Sequence, residues 1–395
     1  MLINPFVVYA FSFFLVILTY SLGWSWLLPE LSTGLYVFLS VSIFNAVILY
    51  CITKNKTYAL RETEYQPPNF SRVSNFVFFT LLILLLLNFI YVGAIPLFAK
   101  LSGFNIDYTD FGIPVVYVIY ATAATVFSTV FFDFYLVTGK RKYLLFAFVL
   151  VFSFILIFNR GAVIICLAQF FTVYLLRRGL RLKQIIITSV IGLVILFSFG
   201  LAGNLRENHD NVAIDSVTSD FILTLGGASD EFISSAIPKE FFWGYLYIAT
   251  PLANLQNNID MKNDFDQYDS DSVIFYVLNE LLPDTISNRI NDIYGVSNVD
   301  NMRIATSFTV GTLYGKSYMY LGWLGIIVTN IVFFIILFFS ILVTTRPSYT
   351  VAPYAVVCVF ALFAIFTNVI AFTGISFQLF WAFLVNYFFR VRYNT

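Results

Sequence analysis

The chain has 395 residues, 59% of them hydrophobic and 11% charged, with a formal net charge of zero and a single histidine. Soluble proteins carry about 25% charged residues, so this composition excludes an ordinary soluble enzyme and points to a polytopic, all-α integral membrane protein. The basic residues form no stripe, which argues against a nucleic-acid partner.

A spanning helix needs about 20 mostly apolar residues. In chain order the sequence offers ten candidates, near 5–24, 32–52, 74–95, 112–137, 143–159, 161–176, 184–203, 318–344, 350–369 and 374–389. The first begins at Pro5 without a basic leader or a small-residue cleavage site, and reads as a retained helix rather than a signal peptide. The second and sixth hold Cys51 and Cys166 and the ninth Cys358, too far apart for a disulfide framework or a metal-ligand spacing. Asp133, in the last turns of the fourth span, is read as snorkelling to the interface near Lys140. The fifth and sixth spans meet at Asn159-Arg160-Gly161. One helix over 143–176 would run about 50 Å, too long for a hydrocarbon core of about 30 Å. The pattern therefore predicts a hairpin with Arg160 at its tip.

Lys and Arg gather at Lys54, Lys56, Arg61 and Arg72; at Lys140, Arg141 and Lys142; at Arg177, Arg178, Arg181 and Lys183; and at Arg346, Arg390 and Arg392. With ten spans all of these fall on one side, which the positive-inside rule makes cytoplasmic, together with both termini. Residues 1–203 then form seven transmembrane helices, 204–317 one large external loop, and 318–395 three more helices. Inside the loop, "FFWGYLYIATPLANL" (241–255) is apolar but short, and is interrupted by Gly244 and Pro251. It is read as an interfacial or re-entrant segment. The cytoplasmic loops are short, and no G-x-G-x-x-G or Walker motif occurs, which argues against an ATP-driven pump or an enzyme with a cytosolic nucleotide site.

The external side carries the residues suited to chemistry. Arg160, Arg206, Arg289 and Arg303 are candidates for gripping an anion, because the planar guanidinium pairs with phosphate through two parallel bonds; each also reads as an interfacial or surface ion-pairing arginine. His209, beside Arg206 in "GLAGNLRENHDN", is the one side chain whose ordinary pKa lies near neutrality and is the leading general-base candidate. Asp210, Asp215 and Asp220 stand as alternatives. The acidic run "DFDQYDSD" (264–271) lacks the glycine and terminal glutamate of an EF-hand loop and reads as a solvated tip.

Three stretches carry a resemblance. "FNRGAVIICLAQ", after a short helix, looks like the arginine-bearing hairpin of the bacterial oligosaccharide repeat-unit polymerases, the Wzy-type O-antigen polymerases. "YLYIATPLANLQ" resembles the aromatic-Pro-Asn-Leu stretch of their large periplasmic loop, and "VGTLYGKSYMYLGWLGII" the segment entering the span after it. The R-x10-G pattern of some members is absent, since Arg160, Arg206, Arg289 and Arg303 are followed at that spacing by Phe171, Val217, Asp300 and Tyr314.

The resemblance implies a GT-C-like membrane glycosyltransferase of the bacterial inner membrane with its large loop periplasmic. It implies that a growing glycan is moved from undecaprenyl diphosphate onto the next lipid-linked repeat unit, in lipopolysaccharide O-antigen biosynthesis. No metal and no cofactor is expected. The expected partners are undecaprenyl-diphosphate-linked oligosaccharide, the lipid bilayer and a chain-length regulator protein. In this reading Arg206 and His209 are catalytic, and Arg160, Arg289 and Arg303 bind substrate. The alternatives are a ligase that transfers finished glycan to lipid A core, and a lipid-linked-oligosaccharide flippase or transporter. Over 100 residues in one external loop weigh against transport, as does the lack of mid-membrane ionisable residues other than Asp133.

Overall fold

The structure, a computed structural model, describes residues 3–62, 70–102, 111–179, 192–194, 196–198, 200–201, 203–204, 219–262, 270–295 and 299–390. Its described elements are all helical, and the only β-type pairings among them are two isolated bridges, Ser25 with Ala228 and Ser348 with Arg390. Among the described residues, five helical stretches are long and apolar enough to cross a membrane: Thr33–Thr57, Ser71–Lys100, Val116–Thr138, Arg160–Arg178 and Gly315–Thr344. Two shorter apolar helices, Pro5–Tyr20 and Ala352–Phe363, pack with them. Large apolar side chains such as Phe76, Ile83 and Ile90 on the Ser71–Val92 helix point outward, as a lipid-facing surface requires.

Local chemistry sets several helix ends. Asn4 caps the first helix by accepting from the Phe6 amide at 2.9 Å, with Pro5 in the first turn, where its missing N–H costs nothing. The chain turns between Arg141–Leu156 and Arg160–Arg178, so the predicted hairpin is present. Asn159 caps the second arm by accepting from the Ala162 amide at 3.0 Å. The sharpest backbone position there is Phe158, at φ 65°, and not Gly161, where a Cβ would sit at an ordinary 3.6 Å from the Asn159 side-chain oxygen.

Contacts sort the helix ends into two groups. Asn4 donates to Thr53 and Thr57, and Thr57 meets Tyr354. Phe70 packs on Phe134, Tyr349 and Phe389, and Lys142 meets Ser71. The described members of the basic clusters, Lys54, Lys56, Arg72, Lys140, Arg141, Lys142, Arg177, Arg178, Arg346 and Arg390, thus share one end, here the basic end. Asp133 belongs to it too, but does not snorkel. It is fully buried and holds Arg177 through two bonds, Nε to Oδ1 at 2.7 Å and a terminal nitrogen to Oδ2 at 2.9 Å. Thr350 and the Val351 amide also donate to Oδ2. The carboxylate stays inside because four donors replace its water shell.

At the opposite end the segment 241–255 proves to be part of one continuous helix, Phe241–Met261, that passes through Pro251 and packs on the first helix. Its amide side chains clamp the following loop. Asn254 donates to the Phe308 and Val310 carbonyls and accepts from the Ile304 amide; Asn258 donates to Asn301 and the Gly315 carbonyl and accepts from the Met302 amide.

The loop so held enters the bundle. The Leu313 amide donates to the Ala364 carbonyl at 2.8 Å, and the Tyr314 hydroxyl meets Tyr9, in the second turn of the first helix, and Asn330. The chain then returns as a short helical piece, Gly315–Tyr320, antiparallel to the piece that follows it. The break lies at Leu321 and Gly322, where Gly322 has φ 55° and ψ −139°, a conformation that essentially only glycine tolerates. Gly325 lets the two pieces touch: a Cβ there would lie 2.2 Å from the Ser317 carbonyl oxygen.

The last two helices, Ala352–Phe363 and Thr373–Phe388, have 12 and 16 residues. At 1.5 Å per residue they run about 18 and 24 Å, short of a hydrocarbon core of about 30 Å. Their connection, 364–372, therefore lies below the far end of the bundle, and Glu280, Asp284 and Leu313 reach it there through hydrogen bonds to Asn368, Ala371 and Ala364.

Candidate functional site

Beside that connection lies a cleft of about 440 Å³. Three parts of the chain build it. The first is a single turn of π-helix, Val277–Leu281, followed by the helix Asp284–Tyr294. The second is the clamped loop with the start of the short helical piece, and the third is the 364–372 turn. π-helical turns widen the backbone ring by one residue and recur at functional sites. Here the turn places Asn279 and Glu280 in the wall.

Glu280 is 1% exposed. The Ser317 hydroxyl donates to its Oε2 at 2.6 Å, and the Asn368 amide donates to Oε2 at 3.0 Å and to the Glu280 backbone carbonyl at 2.9 Å. Its other oxygen, Oε1, is buried without a hydrogen-bond partner among the described residues. Burial pushes the carboxyl up to about 7, against the pull of the Ser317 and Asn368 hydrogen bonds and of the Lys316 ammonium. Behind it runs a hydroxyl chain: Thr329 donates to Ser317 at 2.8 Å, and Tyr276 meets Thr329 at 2.7 Å. The mouth is polar and mostly uncharged, with Ser287, Asn288 and Asn301 beside Lys316, which pairs loosely with Asp300 at 3.8 Å. Asp284 also lines the cleft, but is engaged as an acceptor from the Thr373 amide and hydroxyl at the start of the last helix. A second, largely apolar cavity of about 300 Å³ shares Thr309, Val310 and Phe366 with the cleft.

A buried carboxyl titrating near neutrality, held by one oxygen and free at the other, can take or give a proton at a group placed in the cleft. Amides and hydroxyls around it suit a neutral, hydroxyl-rich ligand. Among the described residues no group of three or more His, Cys, Asp or Glu side chains is placed to hold a metal ion.

The residues singled out in the sequence lie elsewhere. Arg206 and His209 fall outside the described residues, as do Asp210, Asp215 and most of 264–271. Asp220 begins a short helix and is exposed. Arg160 is exposed, with its guanidinium 5.0 Å from the Phe158 ring centre; the Lys100 ammonium lies 4.3 Å from the same centre. That turn thus brings two cations, from different helices, to one aromatic ring. Arg289 follows the lining residue Asn288, and Arg303 lies two residues past Asn301; both are exposed and neither lines the cleft. Sequence reasoning missed Glu280, Asn368 and Lys316. The available signal was a single carboxylate in the apolar run "SVIFYVLNELLP" and a single amide in "FAIFTNVIAFTG".

No protein-family model matches the sequence, and comparison with curated proteins and with solved structures likewise gives no match.

Proposed function

We propose that the chain is an oligosaccharide repeat-unit polymerase of the O-antigen type, joining undecaprenyl-diphosphate-linked repeat units at the periplasmic face of the bacterial inner membrane. The observation that carries this reading is the polarity of the bundle. The described basic clusters share one end, and the opposite end, built largely from the long loop, contains a polar cleft. Under the positive-inside rule the cleft end is periplasmic, where lipid-linked repeat units are joined. All ten predicted spans belong to this proposal, including the one near 184–203.

The reaction needs cations for the leaving diphosphate and a base for the attacking hydroxyl. Arg160, with Lys100 on the same ring, and Arg289 and Arg303 near the cleft are the proposed anion contacts. Arg206 remains proposed for the catalytic machinery and His209 as one candidate base. Deleting the gene in its host tests the reading: lipopolysaccharide should keep a single repeat unit and lose its ladder. Loss of every repeat unit, the first included, would instead indicate the ligase or the flippase.

A further inference from the structure

We propose that the Glu280 cleft is the acceptor site, binding the terminal sugar of a lipid-linked repeat unit through amide and hydroxyl side chains, with the free Oε1 of Glu280 as the base for its attacking hydroxyl. This rests on the polymerase reading and names, within it, a site and a catalytic residue that the sequence did not single out.

Three features lead to it. First, Oε1 is a buried acceptor with no partner among the described residues, on a residue that lines the cleft, while its twin is doubly held, so the carboxylate is oriented. An unsatisfied buried acceptor destabilises the folded chain, and a bound hydroxyl would offset that cost. Second, the wall around it presents Asn279, Ser287, Asn288 and Asn301, groups that both donate and accept, as a sugar's hydroxyls do. Third, about 440 Å³ falls within the range of small-ligand sites.

The step balances without a co-reactant. The acceptor hydroxyl gives its proton to Oε1 as its oxygen bonds to the anomeric carbon of the growing glycan. The bond from that carbon to the diphosphate oxygen breaks, and undecaprenyl diphosphate leaves with the electron pair. Protonated Glu280 then returns its proton to water. Ser317 and Asn368 are positioning residues, fixing the carboxylate through Oε2. The titratable and charged groups facing Glu280 are Lys316 with its partner Asp300, Asp284, Tyr276 and Tyr320. Burial outweighs the Ser317 and Asn368 hydrogen bonds and Lys316 and pushes Glu280 up to about 7, so the rate of bond formation should climb as pH rises through about 7.

The test compares wild type with Glu280→Gln in liposomes supplied with undecaprenyl-diphosphate-linked repeat unit, from pH 5.5 to 8.5. Glutamine's oxygen still accepts from Ser317 and Asn368, so the variant keeps the wall and loses only the base. Bond formation should fall roughly 10²–10⁴-fold, and the residual rate should lack the rise through pH 7. Binding of a non-reacting lipid-linked acceptor, capped at its attacking hydroxyl, should persist. A variant rate within tenfold of wild type, or an unchanged pH profile at a lower rate, overturns the assignment of Glu280 alone. A wild type that forms no linkage in this assay overturns the polymerase reading as well.

Discussion

Glu280 also makes a claim about stability that is independent of any reaction. A carboxyl whose pKa rises from an ordinary 4.5 unfolded to about 7 folded binds more protons in the folded chain between those values. Stability contributed by this group is therefore fullest below pH 4.5 and declines as pH rises toward 7, beyond which the loss is complete. The linkage relation puts the penalty at under about 1 kcal/mol at pH 5 and about 3 kcal/mol at pH 8, a change of roughly 2–3 kcal/mol. Glu280→Gln removes the titrating group and keeps both Oε2 acceptor bonds. The variant should match wild type in melting temperature near pH 5 and exceed it by about 3 °C near pH 8, scaling the unfolding entropy to a chain of this length. The assay is thermal unfolding in one detergent across pH 5–8. A constant difference between the two proteins, or a wild type that gains on the variant as pH rises, would refute the buried, neutral-leaning carboxyl.

Other expectations follow from particular contacts. Arg177→Ala leaves the buried Asp133 carboxylate without its bidentate partner and should destabilise the protein by about 3–5 kcal/mol; membrane abundance and melting temperature report it, and near-normal values would show that the pair is dispensable. Gly322→Ala forces a side chain into the conformation at the helix break, at a cost of about 1–3 kcal/mol, whereas Gly93→Ala at a helix C-cap, with open space around it, should cost less in the same melting assay. Arg160→Lys should lose long chains nearly as fully as Arg160→Ala if the guanidinium grips a diphosphate in two-bond geometry. A full ladder from the lysine variant at matched abundance would leave Arg160 a snorkelling residue resting on Phe158.

Sequence reading reached what local periodicity determines. Hydropathy located the apolar helices that the structure describes, and the length limit on a span placed a turn at Asn159-Arg160-Gly161, where Asn159 caps a helix that already begins at Arg160. It did not reach what depends on distant partners. Asp133 looked like an interfacial carboxylate because its four donors come from Arg177, Thr350 and Val351, far along the chain. The apolar stretch 241–255 looked broken by Pro251, yet packing against the first helix carries the helix through to Met261. Glu280 was invisible for the same reason: in an acidic loop it resembles its solvated neighbours, and only Ser317 and Asn368, 37 and 88 residues on, make it a buried and oriented acid. The re-entrant course of the chain around Tyr314 rests likewise on contacts to Tyr9 and Asn330 and on one glycine at the break.

The central claim is that this chain forms glycosidic bonds between lipid-linked repeat units, and reconstitution addresses it most directly. Purified protein in liposomes, given one defined undecaprenyl-diphosphate-linked repeat unit and no other protein, should yield dimers and longer chains on the lipid carrier. One undecaprenyl diphosphate should be released for each bond formed. Repeat units that remain single while disappearing from one leaflet and arriving in the other would contradict the account and identify the chain as a flippase.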